Sequence, residues 1–230
     1  MCGRFTLNQS SSALADFFSI DNIPDLAAQY NIAPTQKVAT VLHNPETNQR
    51  EFQQLTWGLI PSWMKDPKMG VKLINARSET VAEKPAFRSA FQHRRCLVLA
   101  DGFYEWKREN GKKQPFYFRL SDSQPFAFAG LWERWEPAQH NSEAEEIRSC
   151  TILTTAANEL VQPIHERMPV ILAPQDYDLW LNPQMPTSEP LQQLLCPYPA
   201  EAMTAYPVSS LVNNSRQNSS ECIIPLSQVN

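Results

Sequence analysis

The chain has 230 residues, 42% of them hydrophobic, and a formal net charge of −4. That length supports one sizeable core, so a single domain over residues 1–230 is expected, with the tail after about residue 225 peripheral. No apolar run reaches the roughly 18 residues of a membrane span, no secretory leader opens the chain, and the five cysteines (2, 96, 150, 196 and 222) are odd in number and lack Cys-x-x-Cys spacing; a membrane protein, a disulfide scaffold and a thiol or zinc motif are excluded, and a reduced, cytoplasmic protein is expected.

The elements follow in chain order. "SSSALADFFSI" (10–20) has serine caps and then Leu14, Phe17 and Phe18 at helical spacing, which predicts a short amphipathic helix. "YNIAPTQ" (30–36) reads as a proline-containing loop. "KVATVLH" (37–43) and "EFQQLTWGL" (51–59) read as strands around a turn at Asn44-Pro45. A loop over 60–70 carries Trp63 in an exposed setting. "PAFRSAFQHR" (85–94) is expected to be a helix opening on Pro85. "RCLVLADGFYEWKR" (95–108) gives strand, turn, strand, and "QPFYFRL" and "PFAFAGLWERW" give two more. "RSCTILTTAAN" (148–158) is a strand running into a short helix. "PQDYDLWL" and "SEPLQQLLC" read as helices, and the last stretch as loop with short extended pieces. Strands so close in sequence favour antiparallel pairing. The fold class is therefore α+β: a mainly antiparallel, curled, barrel-like β core with short peripheral helices.

Charge is unevenly spread. Residues 1–113 hold 15 Lys+Arg against 11 Asp+Glu, whereas residues 114–230 hold 5 against 13; within 65–113 the count is 12 against 6. A basic region on an acidic protein can create a local positive field, and an ordinary solvated surface explains the same count.

Four positions carry candidate chemistry. The small side chain of Cys2 permits removal of Met1, after which the chain (2–230) begins with a 1,2-aminothiol, its amine near pKa 7.7–8.0 and its thiol near 8.5, both about as in model peptides. The amine can condense with an aldehyde and the thiol can close a thiazolidine on the same carbon. The pair also suits an N-terminal nucleophile hydrolase, and a cysteine near a frayed end can be incidental. In "LINARSET" (73–80), Asn75 and Arg77 point the same way on an extended segment; they could fix a polar group and a phosphate, or be a loop Asn and a surface Arg. Glu105 lies among Phe103, Tyr104 and Trp106, where desolvation raises a carboxyl pKa and suits a general acid/base; plain strand alternation gives the same pattern. His165 in "IHERMP" is the ready proton carrier or a structural loop histidine. No second histidine or cysteine pair accompanies it, so no metal is expected.

Together the segments "MCGRF", "YNIAPTQ", "WGLIPSWMKD", "INARSET", "CLVLADGFYEWK", "QPFYF", "TTAAN", "IHERMPVIL" and "PVSSLVNN" resemble the SRAP family, the SOS response-associated peptidase-like proteins, in order along nearly the whole chain. The resemblance implies a sensor and shield of abasic sites in single-stranded DNA. It implies covalent capture as a thiazolidine through Cys2 after Met1 leaves, self-removal of Met1 being one route. It implies Asn75 as the residue that positions amine and sugar, Glu105 as acid/base and His165 as its partner. Thr154 falls at the "TTAA" position beside the site. Arg4, Arg77, Arg88 and Arg167 become candidates for DNA contact, and Trp63 for a stacking wedge. No cofactor is implied, and a monomer, nucleoid-associated when bound to DNA, is expected. Glu166 stands where the family often has Asp, with little effect expected, and the end at Asn230 suggests a stand-alone, bacterial-type member. Two other functions fit the same residues: a thiol peptidase using Cys2 and His165, and a non-covalent single-strand binder using the basic 65–113 segment and Trp63.

Overall fold

The computed structural model describes residues 2–109, 111–137, 145–185 and 189–228. The amino terminus enters directly as β1 (Phe5–Leu7). Helix α1 (Ser11–Phe18) follows, capped by Ser10, whose hydroxyl accepts from the Ala13 amide, and stopped by Ser19 in the left-handed region. Strand β2 (Gln29–Ile32) leads into the hairpin of β3 (Lys37–Asn44) and β4 (Gln49–Trp57). A 3-10 turn (Pro67–Lys72) precedes the short β5 (Asn75–Arg77) and helix α2 (Arg88–His93). Then come β6 (Arg95–Ala100), β7 (Gly102–Glu109), β8 (Lys112–Leu120), β9 (Phe126–Trp135) and β10 (Ile147–Ala156). The remainder is β11 (Arg167–Pro169), β12 (Ile171–Leu172), helices α3 (Tyr177–Leu181) and α4 (Glu189–Gln193), and β13 (Met203–Pro207).

The strands form two sheets. The smaller is antiparallel throughout, in the order β13-β8-β7-β1-β2. In the larger, β9 pairs with β6 along one edge and with β10 along the other, which closes the ring β10-β4-β3-β6-β9 into a barrel. Gly130 makes the closure sterically feasible. A Cβ there would sit 2.8 Å from Cys96 Sγ and 2.9 Å from Val98, where β9 bends between its two neighbours. The class read from sequence, α+β with a mainly antiparallel curled core, is the observed one. Two contacts depart from antiparallel: β10 runs parallel to both β4 and β5, because long crossovers bring these strands beside it.

Local expectations needed three corrections. Residues 29–32 form an edge strand rather than a loop, since the break comes only at Pro34-Thr35, with Thr35 at φ 75°. Helix α2 starts at Arg88, not Pro85. The Lys84 carbonyl accepts from both the Phe87 and Arg88 amides, so Pro85 lies in the preceding turn. Past β10 the chain makes successive turns instead of a helix, because the Asn158 side chain takes the Val161 amide.

The two sheets meet across Phe5, Phe103, Phe118, Phe126 and Phe128, with Phe103 and Phe118 stacked at 4.9 Å. The outer face of the small sheet carries a second cluster, Tyr104 and Tyr117 under Val208, Val212 and Cys222 of the C-terminal segment.

Arg95 is a fully committed cation in this frame. It is buried at the start of β6 with no carboxylate partner among the described residues. Its guanidinium donates to Phe91 O (2.7 Å) and Gln92 O (2.9 Å) at the end of α2, and to Trp180 O (2.6 Å) and Asn182 O at the end of α3. Burial pulls its pKa down to about 10, so it stays charged at neutral pH and caps two helix C-termini at once. Arg95→Met leaves those carbonyls buried without donors. A loss of about 3 kcal/mol is expected, seen as a lower urea midpoint at unchanged m-value.

Candidate active site

β1 is an interior strand of the small sheet, between β7 and β2. Phe5 pairs with Phe103 and Thr6 with Gly102, and the Tyr104 amide donates to Arg4 O at 3.0 Å. β1 ends there, so β7 has an open edge from Glu105 outward. Cys2, just ahead of β1, is fully buried, at 0% exposure.

Around Cys2 the structure assembles side chains from distant parts of the chain. Asn75 of β5 donates from Nδ2 to the Cys2 carbonyl at 2.7 Å. β5 itself is fixed by parallel pairing to β10, with Ile152 opposite Asn75 and Thr154 opposite Arg77. The Asn75 Oδ1 is buried and accepts no hydrogen bond among the described residues. Glu105 is 3% exposed and close enough for its charge to act on Cys2. His165 reaches the same space from the turn before β11, and its charge acts on Glu105. The Arg167 amide donates to His165 Nδ1 at 3.0 Å. The same Nδ1 also lies 3.2 Å from the Arg167 carbonyl oxygen.

Burial sets the electrostatics. Desolvation pushes the Glu105 carboxyl above the ordinary carboxylate range, only partly opposed by the positive charge of His165. Desolvation, and then the Glu105 charge, push the Cys2 thiol far above its usual value. Its hydrogen bond goes to Arg4 O, at 3.7 Å. Among the described residues no three His, Cys, Asp or Glu side chains cluster to hold a metal ion.

A cleft of about 550 Å³ opens above this floor. Glu105 and His165 are among its lining residues. Arg4, Trp106, Arg108, Lys113 and Asn213 line the rest. Arg4 is half-buried, and it donates to Asn31 Oδ1 and Val212 O, each at 2.8 Å, with no carboxylate partner among the described residues. Its charge is therefore held in place without being neutralised.

The chain matches the profile of the family described as "SOS response associated peptidase (SRAP)" over residues 1–215. It belongs to that family. Abasic site processing protein YoqW of Bacillus subtilis is 46% identical over 227 residues, covering 97% of this chain and 99% of that protein. Abasic site processing protein YedK of Escherichia coli is 33% identical, covering 98% and 100%. Abasic site processing protein HMCES of Xenopus tropicalis is 35% identical, covering 84% of this chain and 65% of the relative. A crystal structure of a protein from Bacteroides thetaiotaomicron superposes with a TM-score of 0.84 at 27% identity, over 98% of this chain and all of the other.

The remaining candidates of this SRAP chain fall outside the cleft wall. Trp63 is 64% exposed, on a loop pinned where Trp135 Nε1 donates to Met64 O at 2.6 Å. Arg77 is exposed on β5 and Arg88 is exposed at the head of α2. Thr154 is buried, its hydroxyl donating to Ala76 O at 3.4 Å. Arg167 is held bidentate by Glu79, at 2.8 and 2.9 Å, and also donates to Thr154 O at 2.6 Å. A phosphate would have to displace Glu79 to claim it. No helix among the described residues is long and apolar enough to cross a membrane. Sequence reasoning missed Arg108, Lys113 and Asn213. The first two were legible only as part of a basic count, and Asn213 sat in a matched segment without a role.

Glu105 carries a stability cost with a definite pH signature. Its folded-state pKa is raised, so in the window above the unfolded value the folded chain holds a proton that the unfolded chain has lost. Stability therefore falls as pH rises through that window. Glu105→Gln should be more stable than the parent at neutral pH. The gain should disappear below about pH 4, where both states of the parent are protonated. Thermal melts at the two pH values read this directly, and a variant no more stable at neutral pH would remove the burial penalty.

Proposed function

We propose that this protein captures abasic sites in single-stranded DNA as a covalent thiazolidine on Cys2. The observation that supports the reading is the burial of Cys2 beside Glu105, its carbonyl held by Asn75, where Glu105 lines a cleft that also carries Arg4, Arg108 and Lys113. The names of the relatives, abasic site processing proteins, agree with it.

In this reading Met1 is removed and the free amine of Cys2 becomes the first nucleophile. Asn75 Nδ2 fixes the adjacent carbonyl, and its unengaged Oδ1 is the acceptor available to that amine. Glu105, protonated more readily than an ordinary carboxyl, donates to the sugar ring oxygen as the deoxyribose opens to its aldehyde. The amine adds to the aldehyde carbon and a water leaves, giving an imine. The thiol sulfur then adds to the same carbon, its proton passing to the former imine nitrogen through Glu105 or His165. Aldehyde and aminothiol thus give thiazolidine and one water. Arg4 holds a neighbouring phosphate, and Trp63 offers a face on which a base can stack.

Two features disfavour general peptide hydrolysis. A thiol peptidase needs a thiolate at neutral pH, and burial drives the Cys2 thiol the other way. Its hydrogen bond also goes to a backbone carbonyl rather than to an imidazole.

The decisive experiment is a denaturing gel with an oligonucleotide bearing one abasic site. Wild type should give a heat-stable shifted band and an intact mass lacking Met1. Cys2→Ala should give no such band; an equal band from Cys2→Ala defeats the thiazolidine. Loss of the wild-type band under denaturant would leave only a non-covalent binder. Glu105→Gln should slow crosslinking at least ten-fold, within the roughly 10²–10⁴ that acid/base groups supply, with non-covalent affinity unchanged. Equal rates at matched pH would take Glu105 out of proton transfer.

A further inference from the structure

The β7–β8 hairpin has an uncommon rung. Side chains on its outer face come from Tyr104/Tyr117, then Trp106/Pro115, then Arg108/Lys113. The C-terminal segment covers the first two rungs. Tyr104 and Tyr117 lie under Val208 and Val212, and Trp106 Nε1 donates to Asn213 Oδ1 at 2.7 Å. The third rung is uncovered, and both of its residues are exposed.

Arg108 and Lys113 face each other directly across an antiparallel pair. Like charges in that position repel and weaken the pair. An acid nearby would relieve them, yet the closest acid in sequence, Glu109, pairs instead with Lys107 at 3.4 Å. Among the described residues neither Arg108 nor Lys113 has an ion-pair partner. Both line the cleft that also holds Arg4.

Asn213 completes the arrangement. An indole N–H can only donate, so the atom facing Trp106 is the amide oxygen. The amide nitrogen is left as a donor on the cleft side, with no acceptor among the described residues. The Asn213 carbonyl also receives Arg4 Nη2 at 3.5 Å, which ties the three positions to one another.

We propose that Arg108, Lys113 and the Asn213 side-chain amide form a seat for a backbone phosphate of the bound strand, beyond the phosphate assigned to Arg4. The proposal rests on the single-stranded DNA reading above and extends the strand's path along the open edge of β7. It supplies affinity without sequence preference, because a phosphate carries no base identity. The competing explanation is edge protection: cations on an exposed strand edge keep chains from pairing edge to edge.

The test uses undamaged single-stranded oligonucleotide, so that binding is read apart from crosslinking. For Arg108→Gln/Lys113→Gln, the plot of log affinity against log salt should flatten by about 0.7 for each phosphate that is no longer neutralised. Lys107→Gln, which alters a cation already paired with Glu109, should leave the slope as in wild type. Asn213→Asp keeps an acceptor for Trp106 but turns an anion toward the seat, so it should bind more weakly than Asn213→Ala. An unchanged salt slope in the double variant, with increased aggregation, assigns the rung to edge protection and overturns the seat. Equal affinities of Asn213→Asp and Asn213→Ala remove Asn213 from it. Failure of wild type to crosslink, with the slope change intact, would sink the capture chemistry and leave the seat standing.

Discussion

The site depends on one constraint: the amino terminus is not an end but an interior strand. Chain termini normally fray. Here β1 is paired on both sides, and a buried carboxylate locks its far end. Asp101, the corner residue where the chain leaves β6 for β7, accepts from the Thr6 hydroxyl and from the amides of Asn8 and Gln9 (3.1 Å). Tyr117 OH lies 2.9 Å from the same Thr6 hydroxyl. Burial still raises the Asp101 pKa against these bonds, which shows that the lock is costly as well as tight. The corner therefore fixes β1 and starts the strand that carries Glu105. Cys2 and Glu105 are held in common register because the same residue anchors both strands.

That arrangement separates two tasks that conflict electrostatically. Proton transfer near neutral pH needs a carboxyl with a raised pKa, hence a dry floor. Holding a phosphodiester strand needs solvated cations, which would lower the same pKa if they sat beside it. The structure keeps them apart along the cleft, with Glu105 at 3% exposure below and Arg108 and Lys113 exposed above. Arg4 lines the same cleft, half-buried and, among the described residues, hydrogen-bonded to neutral oxygens. In the proposed reading, burial separates the proton-transfer group from the cations that would hold the strand.

Much of this was legible in sequence where the signal is local. Alternation in "INARSET" put Asn75 and Arg77 on one face, and β5 keeps them there. The aromatic flanks of Glu105 announced its burial, and Ser10 announced its helix. What sequence could not show was partnership. Pro85 looked like a helix start because its φ suits one, but the Lys84 carbonyl makes a turn first. Arg167 looked like a free cation until the fold set Glu79 against it, 88 residues away in sequence. Asn213 acquires meaning only from Trp106 and Arg4, 107 and 209 residues distant. Pairing of that kind is set by topology, and no local pattern encodes it.

The charge count illustrates the same limit from the other direction. The segment 65–113 carries twice as many cations as acids, which reads as a positive surface. The fold withdraws part of that charge from solvent. Arg95 is spent on five carbonyls, and Arg94 is spent on the buried Glu133 at 2.9 Å. Arg108 and Lys113 gain weight by contrast, since they lie opposite each other in the cleft lining with no acid paired to them among the described residues. A lesion without a base offers a protein only phosphates and an aldehyde to recognise. In the proposed reading, a few cations left unneutralised near Cys2 meet that need better than a broadly basic surface, which would hold intact strands equally well.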